Sequence, residues 1–401
     1  MKPFSLLIKP ASADCNLRCQ YCFYIDHLKI AENHPRMSDS ILESMIAGYM
    51  KTDQNIYNFG WQGGEPIIMG LKFFKKVVEL QTKYAPPNAV ISNGLQTNGT
   101  LITNEMAEFF AEYKFLLGIS LDGPEHLHDF YRKTIGLQPT HSQVLRGISQ
   151  LKEHNVEFNI LTLINNNNVK KASEIYRYLK NQGFFYHQYI PCVEFDEKGK
   201  PKPFSITGAD WGDFLCDLFD EWIKEDITKI SIRLFDSILN YLVSGTYSVC
   251  FMGNNCCQYF VVEYDGNVYP CDFYVRKDLL LGNVKTHSWN DFINSATYHV
   301  FGNQKVRFNI RCNNCPFINL CYGDCQKHRF NISNSSKTLS ILCKGWKKFY
   351  ANNLPRFKVL ADQIIKNKDL NSTFQIKVKK IGRNSLCPCK SGKKYKDCCL
   401  R

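Results

Sequence analysis

The sequence predicts an α/β fold: an incomplete barrel or curved open sheet of about six βα units, followed by a cysteine-rich region. Two observations lead there. Short β-rich runs alternate with amphipathic helical stretches through the first half. From about Val249 the regular periodicity fades while cysteine density rises, so bound metal is expected to hold that part together.

The expected strands are Ser5–Lys9, Ile56–Trp61, Ala89–Leu95, Phe115–Leu121, Glu157–Leu163 and Phe185–Ile190. Helical patterns fall between them at Ser38–Met50, Leu71–Lys83, Asn104–Tyr113, Gln143–His154 and Val169–Asn181, with Ser38 and Asn104 as N-caps. A further helix is expected over Ala209–Lys224, after the turn at Pro201–Pro203, and another from Pro355 into a basic linker. In either architecture ligands bind beyond the carboxyl ends of the strands. Four motifs fall there: Cys15–Cys22 after the first strand, Gln62-Gly63-Gly64-Glu65-Pro66 after the second, Gln96-Thr97-Asn98-Gly99-Thr100 after the third, and Ser120-Leu121-Asp122-Gly123 ending the fourth.

The 401 residues allow two or three domains, and 44% hydrophobic content is ordinary for a globular chain. No apolar run is long enough to span a bilayer. Phe4–Ile8 is too short for a signal core and Asp14 spoils a lipoprotein site at Cys15, so a cytoplasmic location is expected. Eighteen cysteines in a reducing compartment argue against a disulfide framework. They cluster as Cys15/19/22, Cys250/256/257/271, Cys312/315/321/325/343 and Cys387/389/398/399, leaving Cys192 and Cys216 as solitary core residues. The net charge of +13 lies wholly in Lys344–Arg401, where 16 Lys and Arg face 3 Asp and Glu. Such a tail suits an acidic partner, or is simply a solvated face.

Three cysteines spaced CxxxCxxC on a strand-end loop suit a four-iron cluster with one iron left open to a ligand. A partial zinc site would need a fourth ligand, for which His27 and His34 are available. With GGEP following, the chain resembles the radical S-adenosylmethionine (SAM) enzymes. The resemblance implies a partial (β/α)6 barrel in which Cys15, Cys19 and Cys22 hold a [4Fe–4S] cluster whose open iron chelates SAM. It implies cofactor contacts from Tyr21, from Gly63 and Gly64 by close backbone approach, and from Ser120 and Arg132. Pro191-Cys192-Val193 departs from the residues expected near the adenosine.

The later cysteines resemble the SPASM pattern of auxiliary-cluster domains: Cys256-x9-Gly266-x4-Cys271, then Cys312-x2-Cys315-x5-Cys321-x3-Cys325, then Cys343, with Cys250 upstream. By the family arrangement one [4Fe–4S] cluster takes Cys250, Cys256, Cys271 and Cys325, and another takes Cys312, Cys315, Cys321 and Cys343. Spacing alone would also allow two zinc sites. Tyr269-Pro270-Cys271-Asp272-Phe273 resembles the anaerobic sulfatase-maturating enzymes, which oxidise a cysteine or serine of a sulfatase to Cα-formylglycine. That resemblance implies Asp272 as the base, Tyr24 and Gln62 as contacts to the target side chain, and three [4Fe–4S] clusters with SAM. It also implies a sulfatase polypeptide as substrate and an electron donor such as ferredoxin or flavodoxin.

Gly382 to Cys399 resembles the SEC-C motif, in which Cys387, Cys389, Cys398 and Cys399 would make a zinc knuckle. Its basic setting suits a ribosome, a chaperone or another acidic partner. The expected organisation is a radical SAM domain over 1–235, a SPASM domain over 236–350, a helical and basic linker over 351–380 and the SEC-C motif over 381–401. Two other functions compete. A SPASM enzyme forming a thioether, epimer or crosslink in a small peptide would often carry a leader-binding domain, and the sequence begins directly with its first strand. A zinc and nucleic-acid binding protein would leave CxxxCxxC, GGEP and QTNG unexplained.

Overall fold

The computed structural model describes residues 3–24, 34–329 and 339–373, together with Lys394. The chain divides into two units, Met1–Phe357 and Lys358–Arg401. In the first, seven strands form a parallel series: β1 (Ser5–Lys9), β2 (Ile56–Trp61), β3 (Val90–Thr97), β4 (Leu116–Ser120), β5 (Phe158–Ile164), β6 (Tyr186–Pro191) and β7 (Ser231–Ile232). All six expected strands are present, each within two residues of its expected ends.

The cysteine-rich region extends this same sheet. β8 (Tyr259–Glu263) pairs in parallel with β1, and β9 (Asn267–Tyr269) and β10 (Gly282–Asn283) continue antiparallel. The order is β10-β9-β8-β1-β2-β3-β4-β5-β6-β7. In the β1/β8 register Lys9 stands opposite Glu263, which sets two charged residues side by side at the carboxyl ends of neighbouring strands.

Alternation drives the packing. Leu6, Ile8, Phe59, Trp61, Leu117 and Ile119 are buried on their strands. Phe74 of helix Gly70–Tyr84 meets Trp61, Phe110 and Phe115 edge-on, fixing helices against the sheet. Ser38 caps helix Asp39–Met50 as expected, its hydroxyl accepting from the Ile41 N–H. The cap of helix Asn104–Glu112 is Thr103 rather than Asn104; the threonine hydroxyl accepts from the Met106 N–H at 3.3 Å.

The last helix differs more. It starts at Cys343 and runs through Pro355 to Thr373, rather than starting at Pro355. Proline in a helix interior removes a hydrogen bond, and packing outweighs that loss. Trp346, Phe349, Tyr350 and Phe357 are buried along one face; Phe349 stacks on Phe235, and Phe357 lies 4.7 Å from Phe219. Solitary Cys192 is buried against Leu17, Cys19, Tyr21 and Tyr131. Cys216 accepts from the Asn353 amide at 3.4 Å. Among the described residues no helix is long and apolar enough to cross a membrane. Cys387, Cys389, Cys398 and Cys399 lie outside the described residues.

Candidate active site

The strand-end motifs meet on one rim, and the backbone joins them. The Gly64 N–H donates to Ser12 O at 2.7 Å and the Glu65 N–H to Asp14 O at 2.8 Å, tying the GGEP loop to the segment that leads into Cys15. The approach is so close that a Cβ on Gly64 would stand 2.0 Å from Asp14 O; one on Gly63, where φ is +133°, would stand 2.7 Å from Ser12 O. The nearest neighbour of these glycines is therefore the protein's own backbone.

Glu65 is fully buried and ties in the third motif. Its carboxylate accepts from the Ile67 N–H, from Thr97 Oγ1 at 2.8 Å and from the Asn98 N–H at 2.7 Å. Burial pushes its carboxyl up to about 7, against the pull of these donors. Asn98 in turn donates to Asn16 Oδ1 at 2.9 Å and lies 3.8 Å from the Cys15 sulfur. The Leu17 N–H donates to that sulfur at 3.3 Å.

Two expected cofactor residues, Tyr21 and Arg132, meet on one carboxylate. Asp122, fully buried, accepts from the Tyr21 hydroxyl and from Arg132 Nε at 3.1 Å, and its other oxygen accepts from the Leu163 N–H. The Arg132 guanidinium lies 5.4 Å above the Tyr21 ring. Burial opposes the charge of Arg132, and Asp122, with Tyr21 and Cys19, together more than restore it. Ser120 is buried two residues before Asp122. Gln62 stands at the end of β2, its N–H donating to Ile8 O.

Asp272, one residue past Cys271, reaches the same rim. Its Oδ1 lies 2.6 Å from Lys9 Nζ and accepts from the Tyr24 hydroxyl at 3.0 Å. Tyr24, expected to touch the target side chain, thus engages the carboxylate. Burial, then Asp272, pushes its phenol well above the usual range. The neighbouring Phe273 meets Phe23 edge-on, and Lys327 lies 4.0 Å over Phe273 while pairing with Glu194. These contacts bind the region around Cys325 to the first cysteine loop.

The cysteines form three groups. Burial pushes Cys15, Cys19 and Cys22 up, Cys19 to about 11. Cys325 is pushed up to about 12 by burial and then by Cys250, with Cys256 contributing; Cys271 is raised by burial and then by Cys325. Cys312, Cys315, Cys321 and Cys343 line one pocket walled by Phe317, Trp346 and Tyr350. Among the described residues no three His, Cys, Asp or Glu side chains converge tightly enough to hold a single metal ion. Buried thiols, costly to ionise alone and at Cys15 met by N–H donors, fit iron–sulfur clusters, whose cationic irons offset that cost. Cys257 instead approaches Tyr298 O at 3.3 Å.

The Radical SAM superfamily model matches residues 10–179, the SPASM iron–sulfur cluster-binding domain 250–316 and the SEC-C motif 383–401. The cysteine-type anaerobic sulfatase-maturating enzyme of Clostridium perfringens (strain 13 / Type A) is 39% identical over 370 residues, covering 91% of this chain and 100% of its own. The chain belongs to the anaerobic sulfatase-maturating enzymes. The serine-type enzyme of Bacteroides thetaiotaomicron is 35% identical, covering 91% of this chain and 92% of its own. Native anSMEcpe with bound AdoMet and Cp18Cys peptide superposes with a TM-score of 0.84 at 39% identity, over 90% of this chain and 99% of its own.

A sulfatase-maturating enzyme of this family carries iron–sulfur clusters and uses SAM. Four residues in its site escape a reading of the motifs as isolated ligands. Glu65 and Asp122 lie inside the motifs GGEP and SLDG, and a carboxylate set in a strand-end motif was the available signal; both are fully buried. Lys9 and Glu263 carry no motif, and only the β1/β8 register brings them together.

Proposed function

We infer that the protein oxidises a cysteine or serine of a sulfatase polypeptide to Cα-formylglycine by radical SAM chemistry, with Asp272 as proton acceptor. Family membership supports the reaction, and one observation carries the assignment of the base. The Asp272 carboxylate stands on the rim of the three-cysteine loop, held by Lys9 and by Tyr24 of that loop.

Cys15, Cys19 and Cys22 would hold the first [4Fe–4S] cluster, Cys250, Cys256, Cys271 and Cys325 a second, and Cys312, Cys315, Cys321 and Cys343 a third. When bound, the reduced first cluster and SAM supply the hydrogen-abstracting radical. Tyr21, Ser120 and Arg132 would seat SAM, with the GGEP backbone at Gly63 and Gly64 forming one wall. Asp272 takes the proton of the target thiol or hydroxyl, Tyr24 steadies that carboxylate, and Gln62 contacts the target side chain. The remaining electron would leave through the second and third clusters, and with a cysteine target water would then replace the sulfur, which departs as sulfide. The work divides over 1–235 and 236–350. Residues 351–380 link these to a zinc-binding SEC-C motif at 381–401, through Cys387, Cys389, Cys398 and Cys399. A ferredoxin or flavodoxin would supply electrons, and the basic tail would meet a ribosome, a chaperone or the sulfatase chain.

The test is mass spectrometry of sulfatase-motif peptides, one with Cys and one with Ser at the target, after anaerobic incubation with reconstituted enzyme, SAM and reductant. An aldehyde at the target residue is expected. SAM cleavage with neither peptide converted would refute the reading.

A further inference from the structure

Lys9 is the last residue of β1 and fully buried, a placement that lysine tolerates only when its charge is paired. Its ammonium has three donors to place. It lies 2.6 Å from Asp272 Oδ1, 3.5 Å from the Asp272 carbonyl oxygen and 3.6 Å from Glu263 Oε1, and 4.6 Å from the centre of the Tyr24 ring. Two carboxyl side chains and the face of an aromatic ring thus surround one ammonium.

Two contacts converge on one oxygen of the Asp272 carboxylate. Lys9 and the Tyr24 hydroxyl both meet Oδ1. We propose that Lys9 is a positioning residue for formylglycine formation: with Tyr24 it clamps Oδ1 of Asp272 and so fixes the aim of the carboxylate at the target cysteine or serine. The same ammonium also meets Glu263 at 3.6 Å, and the register of β1 against β8 fixes the spacing of the two side chains. The geometry explains why a proton acceptor attached to the cysteine-rich region can be aimed at a substrate seated on the barrel rim. Its hold comes from the first strand of the barrel.

The inference rests on Asp272 as base, so the test keeps the two apart. Lys9→Met, Lys9→Arg and Asp272→Asn enzymes are reconstituted in full length. Iron content, 5′-deoxyadenosine and formylglycine are measured on one sulfatase-motif peptide. Lys9→Met should retain iron and 5′-deoxyadenosine formation, while formylglycine per 5′-deoxyadenosine falls about 10- to 100-fold, with the peptide KM unchanged. Lys9→Arg should recover part of that ratio. A purely structural role would lower iron and both products together. Should Lys9→Met lose its iron, the charge-balanced Lys9→Met/Glu263→Gln enzyme takes its place with the same expectation, and iron loss there too overturns the proposal. An unchanged product ratio with Asp272→Asn inactive overturns the role of Lys9 alone. A wild-type ratio from Asp272→Asn overturns the base assignment itself.

Discussion

Replacing Gly64 by alanine tests whether the GGEP glycines serve the cofactor or the protein's own packing. The added Cβ would stand 2.0 Å from Asp14 O and 2.6 Å from the Ala13 and Asp14 carbonyl carbons, all of them backbone atoms that cannot rotate away. Ordinary contact begins near 3.5 Å, so the segment must retreat by about 1 Å or more. Overpacking of this kind costs about 1–3 kcal/mol. The same retreat stretches the hydrogen bonds from Gly64 to Ser12 and from Glu65 to Asp14, at about 0.5–1.5 kcal/mol each. The loss is therefore about 2–6 kcal/mol, a large share of the stability of an ordinary domain. Because Cys15 follows Asp14 directly, the shift falls on the first cysteine loop. Anaerobically reconstituted Gly64→Ala enzyme should lose about four of roughly twelve irons, one cluster's worth, and unfold earlier even without SAM. Gly136→Ala is the control, since its Cβ would meet only Thr134 Oγ1 at 3.8 Å. Full iron content and unchanged unfolding of Gly64→Ala, with SAM binding alone impaired, would refute the packing argument.

Changing Cys15, Cys19 and Cys22 together to alanine should also remove about four irons and abolish 5′-deoxyadenosine formation, read by iron assay and chromatography. His187 is buried, and that burial pulls it from an ordinary 6.5 down to about 4. The folded state must therefore hold it neutral. Between those values the unfolded chain binds more protons, so stability is intact above about 6.5 and is lost as pH falls toward 4, by up to about 3 kcal/mol. Acid unfolding followed by circular dichroism should show this slope flattened in His187→Phe; an identical slope would remove His187 from the account. Truncation after Lys380 should leave peptide turnover intact and remove one zinc per chain, as measured by metal analysis; lost turnover would place the SEC-C motif within the catalytic body.

Much of the fold was legible because its strands are short β-rich runs ending in polar motifs, a pattern that period and punctuation reveal. The N-cap at Thr103 and the helix through Pro355 were not. The first is a choice between adjacent polar residues that only the Met106 hydrogen bond settles. The second depends on Phe219 and Phe235, more than a hundred residues away, meeting the face of Phe349 and Phe357. Within the site, residues lying in motifs could be placed by spacing. Their partners could not, since Asp122 joins Tyr21 to Arg132 across three separate segments.

The pairing of β8 with β1 carries a consequence that neither strand shows alone. Asp272 belongs by sequence to the cysteine-rich region, yet both of its Oδ1 partners, Lys9 and Tyr24, come from the first 24 residues of the chain. If β8 were only tethered to the barrel by a linker, the carboxylate would move relative to the first cysteine loop, and abstraction and deprotonation would lose their common geometry. Five paired residues between β1 and β8, from Ser5↔Tyr259 to Lys9↔Glu263, remove that freedom. A single strand pairing thus holds the proposed base and the first cysteine loop in one frame, and makes a one-residue slip in that register a change that would turn Lys9 away from Asp272.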